Sequence, residues 1–214
     1  MYLSGNLSLI FSTEKLTQLF KIEVFWFTVI LTLLIISSIS SCAKKPPSSL
    51  DNICTIFDEK SRWYKHAKKS AKKWGTPVQV QMAILKQESS FKHDAKPKRK
   101  KLLGFIPWTR QSSAFGYAQV LDETWEQYID ESGNNGADRD SFKDAIDFIG
   151  WYTFKTHSIT GVSKWDAYNQ YLAYHEGQGG FQRKTFKNKK WLLETARRVD
   201  NTAKTYSTQL KNCQ

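Results

Sequence analysis

From residue 50 onward, apolar positions recur in steps of three and four rather than in alternation. In 58–74, "DEKSRWYKHAKKSAKKW", Trp63, Tyr64, Ala67, Ala71 and Trp74 stand among lysines at helical spacing. "GTP" at 75–77 breaks the pattern, with Thr76 expected as N-cap, Pro77 at the first helical position and Gln79 completing a capping box. The next helix carries Val80, Ala83, Ile84 and Gln87, with Met82 and Leu85 beside them. Residues 92–116 are basic and hold Pro and Gly, which predicts a loop or broken structure. Amphipathic helices follow in "VLDETWEQYIDES" and "DSFKDAIDFIGWYTFKTHS", the second capped by Asp140 or Ser141. "SKWDAYNQYLAYHEG" predicts another, ended by Gly177. A last helix over 188–210 presents Trp191, Leu192, Thr195, Val199, Thr202 and Tyr206 on one face. No strand-like alternation persists, so the expected class is all-α, with about six helices.

The N-terminal part reads differently. Residues 24–37, "VFWFTVILTLLIIS", carry no charge but are short against the roughly 20 residues of a bilayer span. With Lys15 and Lys21 ahead of them they suit the apolar region of a signal peptide. "ISSC" at 39–42 resembles the lipobox of bacterial lipoproteins, in which the cysteine is acylated after cleavage before it. The alternative is a plain membrane anchor followed by an incidental cysteine. The expected organisation is a signal peptide over 1–41, a lipidated N-terminus and tether over 42–56, and one domain over 57–214. Ala43, where an aspartate retains many lipoproteins at the inner membrane, leans towards an outer-membrane protein facing the periplasm, with the inner membrane as the alternative.

Charge sharpens this. The net charge is +12, and the charged residues of 1–41 cancel, so the excess belongs to the exported part. An acidic partner is implied: nucleic acid, anionic lipid or an anionic wall polymer. Export argues against nucleic acid. Two further cysteines, Cys54 and Cys213, lie near the ends of the domain; they either pair in an oxidising compartment or remain free thiols. No metal-ligand spacing occurs and no cofactor is expected.

The candidate chemistry lies in "QMAILKQESSFK", residues 81–92. Helical periodicity brings Ile84 and Phe91 near Glu88, with Leu85 and Ser89 alongside. A carboxyl group in such surroundings has a raised pKa and donates a proton near neutrality. The plainer reading is a solvated glutamate at a helix end.

Three segments in order tip the balance: "QESSF" at 87–91, "GYAQVLDETW" at 116–125 and "AYHEGQGGF" at 173–181. Together they resemble the soluble lytic transglycosylase family, with its lysozyme-like domain built around a glycan groove. The resemblance spans roughly residues 74 to 181. It implies cleavage of the MurNAc–GlcNAc β-1,4 bond of peptidoglycan with formation of a 1,6-anhydro product. By it, Glu88 is the acid/base and Tyr174 the phenol that positions its carboxyl. Ser89 supports the glutamate or the sugar, Gly116 leaves room for the glycan, and Gln119 offers it an amide. Tyr117 and His175 join the substrate-binding candidates. Trp108, in the basic 96–110 insertion, would stack on a sugar if that insertion is a flap rather than a solvated charge run.

The partners implied are glycan strands, a membrane through Cys42 and cell-envelope machinery; a monomer is expected. Departures from the family pattern are His175 for Asn, Glu176 for a small residue, Ala118 for Met and Asp122 for Pro. Glu176 raises the question of a second carboxylate that activates water, as in a goose-type-lysozyme-like muramidase, against a solvated or salt-bridged residue. Asp94 and Asp122 are weaker candidates for that role. A noncatalytic peptidoglycan-binding lipoprotein is the other alternative.

Overall fold

The computed structural model describes residues 25–29, 45–97, 99–102, 106–110 and 112–213, of which 100–102 and 106–110 by backbone alone. The chain divides into two units, Met1–Ala43 and Lys44–Gln214. In the first, residues 25–29 are helical. Cys42, the lipobox and most of the expected signal peptide lie outside the described residues. Among the described residues no helix is long and apolar enough to cross a membrane.

The second unit holds seven helices among its described residues: α1 (Ile53–Glu59), α2 (Ser61–Trp74), α3 (Val78–Ser89), α4 (Asp122–Ser132), α5 (Phe142–Thr160), α6 (Ala167–Gln182) and α7 (Lys190–Leu210). Its packed body is all-α, as the periodicity predicts. The basic insertion contributes a two-stranded antiparallel pair, β1 (Arg99–Leu102) with β2 (Ile106–Arg110), in which Leu102 is in register with Ile106. The expected loop is therefore partly strand, with Pro107 inside the second of the two.

The first predicted helix is two. Asn52 caps α1 by accepting from the backbone N–H groups of Cys54 and Thr55. Lys60 then leaves helical geometry and α2 starts afresh. The capping box expected at 76–79 does not form. Thr76 is buried and its hydroxyl lies 2.7 Å from that of Thr153 on α5, while α3 begins after Pro77 with no side-chain cap. The hydroxyl is drawn inward because burial leaves it no water to bond.

α3 is the centre of the packing, in contact with α2, α5, α6 and α7. Six consecutive residues, Val80 to Leu85, are buried. Full burial of Met82, Ile84 and Leu85 is worth about 2 kcal/mol each. Gln81 is the polar exception. It donates to the Thr76 carbonyl at 2.7 Å and accepts from the Ser70 hydroxyl at 2.8 Å, which offsets its desolvation.

α5 crosses α2 closely at Gly150, where a Cβ would stand 2.4 Å from Ser70 Oγ and 2.6 Å from Trp74 Cδ1. α7 lays Leu192, Ala196, Val199, Ala203, Tyr206 and Leu210 against the body at helical spacing. The two ends of the unit meet. Gln209 accepts from Ile53 N at 2.9 Å and donates to the Asp51 carbonyl at 3.0 Å, and Tyr206 donates to the Leu50 carbonyl. A Cys54–Cys213 disulfide joins them covalently, with Cα atoms 5.8 Å apart.

Candidate functional site

Glu88 stands in the last turn of α3, and the turn after it is unusual. Ser90 and Phe91 both take the left-handed conformation, with φ of 53° and 58°. Each costs roughly 1 kcal/mol or more in a residue with a Cβ. The compensation lies in Phe91, which is fully buried with its ring 5.6 Å from Trp63. Its burial drives the chain sharply away from the helix and leaves Glu88 on the rim of a cleft.

That cleft measures about 560 Å³. Glu88, Gln119, Phe148, Tyr152, Tyr174 and His175 line it, with Glu176 and Gly177 at one side. A second depression of about 250 Å³, lined by His66, Lys69, Lys73, Asp144 and Asp147 among others, contains none of the three motif segments. Among the described residues no group of three metal-ligating side chains occurs.

Burial pushes the Glu88 carboxyl up to about 7, and a hydrogen bond from the Tyr171 hydroxyl partly offsets this. The glutamate thus holds its proton near neutrality, and its position at the C-terminal, negative end of α3 acts in the same direction. Tyr171 reaches it from α6, one turn before Tyr174. The hydroxyl of Tyr174 instead donates to the Ala118 carbonyl at 2.5 Å. Of the two tyrosines of "YLAY", Tyr171 is the one that lowers the Glu88 pKa, while Tyr174 lines the cleft beside it. Tyr174 remains close enough that the Glu88 charge, after burial, raises its own ionisation well above the ordinary phenol. It ties α6 to the Gly116–Val120 segment.

That segment is clamped by Arg139. Its guanidinium lies 2.6 Å from Asp122 Oδ1 and donates to the Val120 and Ser113 carbonyls, while its own carbonyl accepts from Tyr117 N at 3.2 Å. Gly116 has φ of 76°, and a Cβ there would fall 2.1 Å from the Arg139 oxygen. The glycine makes room for the Arg139 carbonyl. Gln119, at φ 49°, turns its amide nitrogen inward to the Ala95 and Gly116 carbonyls at 2.8 and 2.9 Å. Both amide hydrogens are spent on the loop, so its oxygen is the group left to face a ligand.

Other candidates move role. Tyr117 is 4% exposed and packs edge-on against Trp63 and Phe142, with its ionisation pushed up to about 12 by burial and by Asp140 and Asp94. It is core rather than cleft. The buried Ser89 hydroxyl donates back to the Leu85 carbonyl at 3.3 Å and is satisfied within its own helix. Trp108 falls in β2, where its side chain lies outside the described residues. His175 sits at the cleft lip, Nδ1 3.0 Å from Glu176 Oε1.

Glu176 is an ion-paired residue, not an idle carboxylate. Lys189 Nζ lies 2.7 and 2.9 Å from its two oxygens, and the Thr185 hydroxyl donates to it. Burial alone would raise its pKa; the bonds from Lys189, Thr185 and His175 outweigh that and hold it at about 2. Asp122 is likewise taken up by Arg139. The helix that the sequence ends at Gly177 does break there, and a second helical stretch runs on to Gln182. Gly177 kinks it, with φ 70° and ψ 158°, a conformation open essentially to glycine alone. Beyond the kink the chain returns so that Thr185 and Lys189 reach Glu176. Tyr171, Thr185 and Lys189 were not among the sequence candidates; only the three-residue spacing of Tyr171 and Tyr174 offered a hint.

A family model described as transglycosylase SLT domain matches residues 30–213. A search of curated proteins finds no match. With the match covering most of the chain, and the three motif segments converging on one cleft around Glu88, the chain belongs to the transglycosylase SLT-domain family.

Proposed function

We propose that the domain is a peptidoglycan lytic transglycosylase in which Glu88 is the single acid/base. The observation that carries this reading is the pairing of carboxylates in the cleft. Glu88 is protonated up to about pH 7, whereas Glu176 is ionised and saturated by Lys189, Thr185 and His175. A glycosidase of the ordinary kind needs two working carboxyl groups flanking the bond. Among the described residues that line the cleft, one is available.

With one, the reaction closes on itself. Glu88 protonates the glycosidic oxygen as it leaves C1 of N-acetylmuramic acid, and the sugar's own N-acetyl oxygen stabilises the charge forming at C1. The ionised Glu88 then takes the proton from the C6 hydroxyl of the same sugar as O6 bonds to C1. The C1–O bond to the leaving sugar is replaced by a 1,6-anhydro ring, no water is consumed, and Glu88 is regenerated. O6 is held beside C1 at an effective concentration far above that of a free nucleophile. A carboxyl that alternates between acid and base works best with a pKa near the working pH. Tyr171 steadies it in both states. Tyr174, through Ala118, holds the wall opposite, and Gln119 and His175 offer polar contacts to the glycan.

We further assign residues 1–41 to a signal peptide and Cys42 to lipidation, with the domain of 57–214 facing the periplasm from the outer membrane. The lipobox-like "ISSC" supports this. Loss of the protein from the membrane fraction on Cys42→Ser is the expected result; unchanged fractionation would argue for a plain anchor.

The deciding experiment is mass spectrometry of sacculi digested by the full chain and by its Glu88→Gln variant. The expected products are 1,6-anhydromuropeptides, absent with the variant. Reducing-end muropeptides would make the protein a muramidase. No products over a range of pH, with Glu88→Gln changing nothing, would leave a binding protein.

A further inference from the structure

Helical spacing puts Trp191 on the buried face of the last helix, beside Leu192. The two part company in the fold: Leu192 is fully buried and Trp191 is 55% exposed. A single exposed indole is ordinary at a protein surface; what sets this one apart is where it packs. Among the described residues its ring contact is with His175, edge-on, with centroids 5.0 Å apart and planes at 77°. His175 lines the cleft that holds Glu88. Trp191 therefore continues the cleft wall outward by one side chain.

The indole is also held in place. It follows directly on Lys189 and Lys190, and Lys189 is locked to Glu176 on the cleft wall by two contacts of 2.7 and 2.9 Å. Thr185, on the same connecting segment, donates to that carboxylate as well. The Glu176 side chain is 4% exposed and that of Lys189 41%, so the carboxylate end of the lock is buried and the ammonium end reaches water. A charge cluster that does no chemistry thus fixes the segment bearing Trp191 against the site. Trp165, although 70% exposed, lines a different depression with Tyr64 and Gly75 and shares no residue with the cleft.

We propose that His175 and Trp191 form a saccharide subsite beyond the bond-cleaving position, in which a pyranose ring of the glycan strand stacks on the indole face. A pyranose presents a face of C–H groups about the size of an indole, and the slightly positive hydrogens meet the negative π-face. His175 has Nδ1 engaged by Glu176, so its other ring nitrogen is the one available to a sugar hydroxyl or acetamido group. The subsite rests on the glycan-cleaving reading of the cleft, and deepens it by naming where the strand runs. Glu176 and Lys189 are positioning residues in it.

The test uses the full chain carrying Glu88→Gln, which binds without turnover, titrated with the hexamer of N-acetylglucosamine. Trp191→Ala on that background is expected to weaken binding about tenfold, the worth of one aromatic stack. Trp191→Phe should recover part of the loss, and the quenching of tryptophan emission on binding should shrink in both. In the otherwise wild-type chain, Trp191→Ala should raise KM on glycan strands with kcat little changed, and melting should be unaltered because the ring is exposed. Equal hexamer affinity with and without Trp191, or no binding to either form, overturns the subsite. The cleavage reading fails separately, through product analysis: loss of hexamer affinity on Trp191→Ala together with absence of 1,6-anhydro products keeps the subsite and removes the transglycosylase.

Discussion

Tyr171 acts on the Glu88 carboxyl from eighty-three positions further along the chain. Its hydroxyl opposes the upward push of burial on the glutamate. Tyr171→Phe removes it, so the Glu88 pKa rises further above about 7. If the protonated glutamate starts the reaction, activity falls as pH rises through its pKa. The alkaline limb of the pH–rate profile should then move to higher pH in the variant. The rate at the optimum should drop about tenfold for loss of orientation. An unmoved limb would mean that Tyr171 does not govern the carboxyl.

Glu88 should cost stability. Its folded pKa of about 7 lies above the unfolded value of 4.5. The fold therefore tolerates the protonated form and loses stability as pH rises from about 4.5 through 7, by on the order of 3 kcal/mol once ionised. Glu88→Gln escapes the penalty. It should melt several degrees higher than the wild type at pH 8 and at nearly the same temperature at pH 4, while inactive. Calorimetry at the two pH values checks this; a variant less stable at pH 8 would contradict it.

Glu176 has the opposite sign. Its folded pKa of about 2 lies below 4.5, so its ion pair contributes stability above pH 4.5 and loses it as pH falls towards 2. Glu176→Gln should destabilise by roughly 1–2 kcal/mol at pH 7, and the difference from wild type should narrow below pH 4. KM on glycan strands should rise as the Trp191 segment loosens. The product should stay 1,6-anhydro, because water activation is not the work of this carboxylate. A switch in product on Glu176→Gln would refute that assignment.

Gly116→Ala meets two obstacles, a positive φ and a Cβ 2.1 Å from the Arg139 oxygen. Backbone has to shift, so a loss of about 3 kcal/mol or more is expected. Activity should fall as well, because Gln119 and the Tyr174–Ala118 contact hang on the same turn. Denaturant unfolding and steady-state kinetics measure the two effects. Wild-type stability would show that the close approach is not required.

Reduction of Cys54–Cys213 frees a loop of nearly the whole domain, with a sequence separation of 159. A cost of about 3 kcal/mol is expected, lowering the melting temperature by roughly 10 °C. The paired Cys54→Ser and Cys213→Ser variant should behave like the reduced protein. An equal melting temperature with and without reductant would show that Gln209 and Tyr206 hold the ends unaided.

Much of this was legible in the linear pattern, because helical periodicity is local. Three- and four-residue spacing located α2 through α7, and the ordered motif segments singled out Glu88, Gln119 and the start of the "AYHEG" turn. What local pattern could not decide was direction. Tyr171 and Tyr174 lie one turn apart on the same helix, yet Tyr174 gives its hydroxyl to Ala118 while Tyr171 lowers the Glu88 pKa. Trp191 fits the apolar stripe of α7 as well as Leu192 does, yet one is in water and the other in the core. Gly116 and Tyr117 sit inside a motif but serve Arg139 and Trp63. Glu176 differs from an idle surface acid only through Lys189 and Thr185, which the chain beyond the Gly177 kink brings to it. These outcomes depend on which long-range neighbour desolvates or pairs a group, and that is a property of the packed chain rather than of any stretch within it.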